Sequence, residues 1–223
     1  MTYNTVRNVL PHFRFKGKYQ GVQEITSGNV NNTYVLEYQD GPVKRLYTLQ
    51  HINTYVFKNP HEVMSNIFAV TSHLRAAIAR NNEDADRRVL ELIKTNDGKN
   101  LHEDDDGDIW RAYSYISDAS ALDIVRTTQE MEEVGRGFGQ FQKLLYDFPA
   151  QELYPSIPNF HHTTKRFYAF VHALDRDKAG RVRDLEEEIE FMFDRRRMMG
   201  EIVRMLDSGL IPYRVTHNDT KSN

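Results

Sequence analysis

Cysteine is absent from the 223 residues, which contain a single tryptophan and seven prolines. Without cysteine there can be no disulfide, thiolate zinc site or cysteine nucleophile, and the chain suits a reducing cytoplasm, its expected location. An excess of one charge is missing as well. Twenty-nine Lys and Arg stand against 32 Asp and Glu, a formal net charge of −3. A nucleic-acid-binding protein needs a basic face to neutralise phosphates, so nucleic acid is not an expected partner. No apolar run approaches the roughly 18 residues of a membrane span, and the opening MTYNTVRNVLPHF lacks a signal-peptide core. No membrane partner is expected. A Walker loop is lacking too, which excludes a P-loop kinase. Repeats and low-complexity segments do not occur.

What is present suffices for a folded core: 39% of residues are hydrophobic and 11% aromatic. Residues 19–25, 33–38 and 45–52 are rich in β-branched and aromatic side chains and read as strands. Turn signals separate them, Ser27-Gly28-Asn29 and Asp40-Gly41-Pro42. After Asn59-Pro60, Val63, Ile67, Val70, Leu74 and Ile78 recur at helical spacing. Two further strands are expected at 88–95 and 108–116, with an acidic loop between them. Its Asp104-Asp105-Asp106 lacks the spacing of a calcium loop.

Beyond Ser117 the pattern turns helical. Met131, Val134, Phe138, Phe141 and Leu145 make one stripe, and a second helix is expected over 160–175. A long third helix carries Val182, Leu185, Ile189, Met192, Met199, Val203 and Leu206. The apolar run Tyr213–Thr216 then reads as a strand. Division falls near 116: a strand-rich part over 1–116 and a helical part over 117–223. The fold class expected is α+β, an antiparallel sheet with one packed helix (residues 61–80) followed by helices.

The chain closes on YRVTHNDTKSN, residues 213–223. His217 and Asp219 follow an apolar strand, and Lys221 and Asn223 lie two and four residues after Asp219. Phosphoryl transfer uses such groups: a carboxylate to accept the attacking hydroxyl's proton, a cation beside the phosphate, and an oxygen ligand for Mg²⁺. A metal-dependent hydrolase built on His217 and Asp219 is the weaker alternative, because further ligands are lacking. His161 and His162 have no partners at zinc-site spacing.

His217–Asn223 resembles the catalytic loop of the protein-kinase-like superfamily. More narrowly it is similar to the aminoglycoside phosphotransferase and choline kinase group, and nearest to its N-acetylhexosamine 1-kinase-like branch. Val56-Phe57-Lys58-Asn59-Pro60 and Gly135-Arg136-Gly137-Phe138-Gly139 add to the likeness. The resemblance implies a two-lobed kinase-like fold with a nucleotide-binding strand-rich lobe over 1–116 and an incomplete helical lobe over 117–223. It further implies ATP and Mg²⁺ as cofactors and transfer to a hydroxyl of a small molecule. A sugar such as an N-acetylhexosamine is the first acceptor considered, an aminoglycoside or choline-like amino alcohol the second.

Asp219 would be the catalytic carboxylate, Lys221 a phosphate partner and His217 a brace of the loop. The metal ligands are not identified: the family's Asn stands five residues after the catalytic Asp, one position beyond Asn223. The chain therefore reads as stopping inside its catalytic loop, and by itself it is expected to bind nucleotide without turning it over. On the nucleotide side, Ser27, Gly28, Asn29, Asn31 and Thr33 occupy the phosphate-loop position, where a plain hairpin turn is the alternative. Gln50 occupies the position of the third-strand cation, but it is neutral and leaves Glu62 without an ion-pair partner. Glu62 then reads as a first-turn residue favoured by the helix dipole. Tyr115 and Ile116 would offer backbone groups to adenine, or simply end a strand. A non-catalytic nucleotide-binding fragment is the reading from another class.

Overall fold

The computed structural model describes residues 3–26, 30–119, 124–218 and 220. Three strands follow in succession, β1 (Lys18–Ile25), β2 (Asn32–Asp40) and β3 (Val43–His51). They are joined to β6 (Ile109–Ser114) and β4 (Leu92–Ile93) in the order β1-β2-β3-β6-β4, every pairing antiparallel. A short β5 (His102–Glu103) also pairs with β6. The α+β class expected from the sequence is the one observed.

Directly opposed residues of neighbouring strands share a face of the sheet. Tyr34, Leu49 and Ala112 form one such row, and Leu36 opposes Tyr47 on the same face. Helix α1 (Tyr3–Val9) and the 3-10 turn Leu10–His12 cover this face. Val6, Val9, Leu10 and Phe13 are buried there with Trp110, which is fully enclosed. The segment is tied to the turn after β4: Arg14 N–H donates to the Lys94 carbonyl and Asn96 N–H to the His12 carbonyl, each at 2.9 Å.

The opposite face receives helix α2 (Pro60–Arg80). Asn59 caps it, its Oδ1 accepting from Glu62 N–H at 3.3 Å, and Pro60 needs no partner at the first helical position. Met64 packs with Ile52, Leu101 and Ile109. The capping box of Thr127 and Glu130 starts α3 (Thr128–Leu144), and α2 contacts it. Asn66 is bonded to the main chain of Tyr154.

The chain divides into two compact units, one up to Ser156 and one from Ile157 to Asp219. The second holds α4 (Thr163–Arg176), α5 (Glu186–Asp194), α6 (Arg196–Met199) and α7 (Glu201–Asp207). Phe167 is buried against Phe193, its ring edge-on at 5.5 Å. Among the described residues no helix is long and apolar enough to cross a membrane.

Several expectations need correction. The long helix expected over Val182–Leu206 is three helices with a 3-10 turn at Val182–Asp184 before them. Breaks fall at Arg195 and Gly200, where backbone angles depart from the helix, and Thr163 Oγ1 donates to the Met199 carbonyl released there. The strand expected over 88–95 shrinks to Leu92–Ile93, because residues before it turn back on themselves through Arg88 and Val89 N–H bonds to the Ala85 carbonyl. Tyr213–Thr216 forms no strand among the described residues: Tyr213 is half exposed, and no neighbouring strand is there to pair with it. The helix expected over 160–175 runs Thr163–Arg176, capped by His162 Nδ1, which accepts from Lys165 N–H at 3.4 Å.

Candidate active site

Thr33, Gln50 and Arg111 oppose one another across β2, β3 and β6, on the face that α2 covers. Their side chains are linked in the same order. Arg111 Nε donates to Gln50 Oε1 at 2.9 Å, and Gln50 Nε2 donates to Thr33 Oγ1 at 2.9 Å. Arg111 Nη1 lies 3.9 Å from the Met64 sulfur of α2. A neutral amide thus fills the third-strand position, and a guanidinium from the adjoining strand rests against it.

That guanidinium is partly buried, and burial lowers its pKa from the ordinary value. It remains a cation at neutral pH, since arginine does not release its proton in proteins. Tyr113, two residues on and on the same face, is pushed up by burial, with the Arg111 charge opposing the shift. Among the described residues no carboxylate lies within ion-pair distance of Arg111.

Asn31 joins the loop before β2 to the segment after β3. Its Oδ1 accepts from Asn53 N–H at 3.0 Å, while Asn53 Nδ2 donates to the Val30 carbonyl at 3.1 Å. The β2 side of the loop, residues 30 and 31, is therefore held to Asn53 where the sequence suggested a phosphate loop. Ser27, Gly28 and Asn29 lie outside the described residues. At the end of β6, Tyr115 N–H donates to the Leu46 carbonyl at 3.2 Å, so the sheet already uses that amide. Tyr115 is 41% exposed and Ile116 partly buried. Tyr115 borders a recess of about 490 Å³ lined also by Arg14, Lys16, Leu46 and Glu91, which does not include Thr33, Gln50 or Arg111.

Asp219 and Lys221, the catalytic carboxylate and cation inferred from the sequence, lie outside the described residues. His217 is exposed in the second unit, just after Thr216, whose Oγ1 donates to Asn218 Oδ1 at 2.7 Å. Asn218 has φ +62, a left-handed turn that asparagine tolerates. The acidic loop after β5 is structural: Asp104 accepts from Asp106 N–H, Asp108 N–H and Trp110 Nε1 at 3.1, 2.9 and 2.8 Å. Among the described residues no group of three or more His, Asp or Glu could hold a metal ion.

Sequence reasoning missed Arg111. Reading along β3 alone asks only which side chain Gln50 is; the cation appears when the register with β6 is known. The alternation Ile109, Arg111, Tyr113 was the available signal, since it puts a cation on a face otherwise apolar or aromatic.

The class defined by the fold is an α+β protein with a helix laid on an antiparallel sheet and a linked polar row beneath that helix. No family model matches the chain. Among solved structures it is similar to spectinomycin phosphotransferase in complex with ADP and spectinomycin, with 12% identity and a TM-score of 0.36. The likeness covers 75% of this chain and 46% of that one, so the match spans about half the length of the enzyme. It is too slight to bear on activity.

Proposed function

We propose that the chain forms the nucleotide-binding part and catalytic loop of an ATP-dependent phosphotransferase acting on a hydroxyl of a small molecule. The observation that carries this reading is the placement of α2 directly after β3, on the sheet face that presents Thr33 and Gln50. That arrangement agrees with what the His217–Asn223 motif implies. In this reading residues 1–116 contact the nucleotide and residues 117–223 carry the catalytic loop of a cytoplasmic enzyme. The bonds from Asn31 to Asn53 and from Gln50 to Thr33, which fix the chain where it enters β2, support this reading.

Asp219 accepts the proton of the acceptor hydroxyl, and Lys221 lies near the transferring phosphate. His217 braces the loop. Mg²⁺, when bound, would neutralise charge developing on the phosphate oxygens. The acceptor proposed is a sugar such as an N-acetylhexosamine; the wording of the motif favours it over an aminoglycoside or amino alcohol.

Calorimetric titration of the purified protein with ATP and ADP tests the nucleotide part, with mutual competition expected. No heat in the millimolar range would end the reading. Transfer by the full-length protein to a panel of N-acetylhexosamines, aminoglycosides and choline identifies the acceptor. In that protein Asp219→Asn should lower transfer by about 10²–10⁴-fold while sparing nucleotide affinity. Unchanged transfer in that variant would move the chemistry away from Asp219.

A further inference from the structure

We infer that Arg111 is the cation of an anion subsite on the α2 side of the sheet, and that a phosphate group of the nucleotide occupies it. The inference rests on the phosphotransferase reading for the identity of the ligand, but not for the existence of the subsite. It moves the phosphate-binding charge from β3, where Gln50 is neutral, to the neighbouring strand.

Withdrawing a cation from water is costly unless a counter-charge and hydrogen-bond acceptors replace the lost solvent. Arg111 receives little of either. Its partners are an amide oxygen at 2.9 Å and a thioether sulfur at 3.9 Å, both uncharged. A guanidinium carries five N–H donors, and these two contacts leave most of its outer edge without a described partner. The bond through Nε fixes the plane of the group and leaves the Nη1 and Nη2 pair as the edge that can grip two oxygens of one phosphate. Arginine is suited to that task where lysine would act only as a point charge.

The anchoring is built rather than incidental. Gln50 is itself fixed by Thr33, so a three-strand relay sets the position of the guanidinium. Thr33 is the second residue of β2, two positions after Asn31, whose side chain accepts from Asn53 N–H. A polyphosphate lying along this row would meet its one positive group, Arg111. The free protein tolerates the uncompensated charge because Gln50 supplies an oriented dipole, and the ligand completes the neutralisation.

Isothermal titration with inorganic tripolyphosphate, ATP and adenosine tests this on the wild type, Arg111→Met and Gln50→Glu. The methionine preserves the apolar stem against Met64 and removes the charge. Glutamate at position 50 gives Arg111 an internal counter-ion and should leave the fold intact even if the first variant fails to fold. The wild type should bind tripolyphosphate and ATP more tightly than adenosine. Each variant should lose about ten-fold or more in affinity for the two phosphates, as expected for a charge-assisted bond. Adenosine affinity should not change. Wild-type affinities of both variants for tripolyphosphate and ATP would overturn the subsite while leaving the phosphotransferase reading in place. Arg111-dependent binding of tripolyphosphate with no gain from the adenosine of ATP would uphold the subsite and overturn that reading. If the wild type bound neither phosphate, both would fall.

Discussion

Asn66 of α2 holds the main chain of Tyr154 at both of its hydrogen-bonding groups. Asn66 Nδ2 donates to the Tyr154 carbonyl at 2.7 Å, and Tyr154 N–H donates to Asn66 Oδ1 at 2.9 Å. The side-chain amide acts here as one residue of a strand would, and it fastens the segment after α3 to the helix on the sheet. Asn66→Ala breaks both bonds. Asn66→Asp keeps the acceptor but loses the donor, placing a carboxylate against the Tyr154 carbonyl. Each should cost about 1–3 kcal/mol, read from urea unfolding, with aspartate no better than alanine. Full stability in both variants would mean the segment is held by other contacts.

The Trp110 indole donates to Asp104 Oδ2 at 2.8 Å and helps hold that carboxyl below its ordinary range. Burial raises the Asp104 pKa, but bonds from Trp110 Nε1 and the amides of Asp108 and Asp106 outweigh it, and the group titrates below the ordinary 3.8. A depressed carboxylate contributes stability that is present above its unfolded pKa and is lost as pH falls through its folded one. Trp110→Phe should therefore raise the Asp104 titration point in an NMR pH series and move acid unfolding upward. An unmoved Asp104 resonance would show that the indole bond is not a determinant.

Asp97 should resist acid further. Hydrogen bonds from Lys99 and Thr95 lower its pKa from 3.8 to about 2. Its part in the turn before Gly98 is then complete above pH 3.8 and disappears only as pH falls through about 2. Lys99→Met, which removes the larger cause, should shift the titration upward more than Thr95→Val does. The reverse order in NMR would contradict the turn geometry.

Gly17 is required where the N-terminal segment enters β1. Its φ is +96, and a Cβ there would lie 2.6 Å from the Gln39 carbonyl oxygen, which belongs to the backbone and cannot step aside. Gly17→Ala should destabilise by more than the roughly 1–2 kcal/mol of a left-handed alanine, because the clash adds to it. A loss below about 1 kcal/mol would show that β1 can shift away from β2 at this end.

Much of this fold is legible in the sequence because its signals are local. Turn chemistry at Asp40-Gly41, the cap at Asn59-Pro60 and the stripe Val63–Ile78 each act within a few residues, and β2, β3 and α2 appear where they point. What escaped depends on distant partners. Val6, Val9, Leu10 and Phe13 have helical spacing, yet their burial is decided by Leu36 and Trp110. The apolar Tyr213–Thr216 has strand composition but pairs with no strand among the described residues. The stripe over Val182–Leu206 keeps its period through Arg195 and Gly200, where backbone geometry breaks the helix although hydrophobicity does not. For the candidate site, Gln50 was visible as a neutral residue in a charged residue's place, whereas its bond to Arg111 follows from cross-strand register alone.

The order of the sheet also dictates a schedule for synthesis. β3 lies between β2 and β6, and the whole of α2 and the acidic loop separate β3 from β6 in the chain. As the protein leaves the ribosome, β1, β2 and β3 can close as a three-stranded meander while the far edge of β3 stays open. Tyr47 and Leu49 then face water, and Val6 and Val9, made first, have no Trp110 to settle against. An exposed strand edge beside unburied apolar side chains is the state most prone to joining another copy. Slow translation between residues 52 and 108 would prolong that exposure, so the first residues made are among the last whose packing is complete.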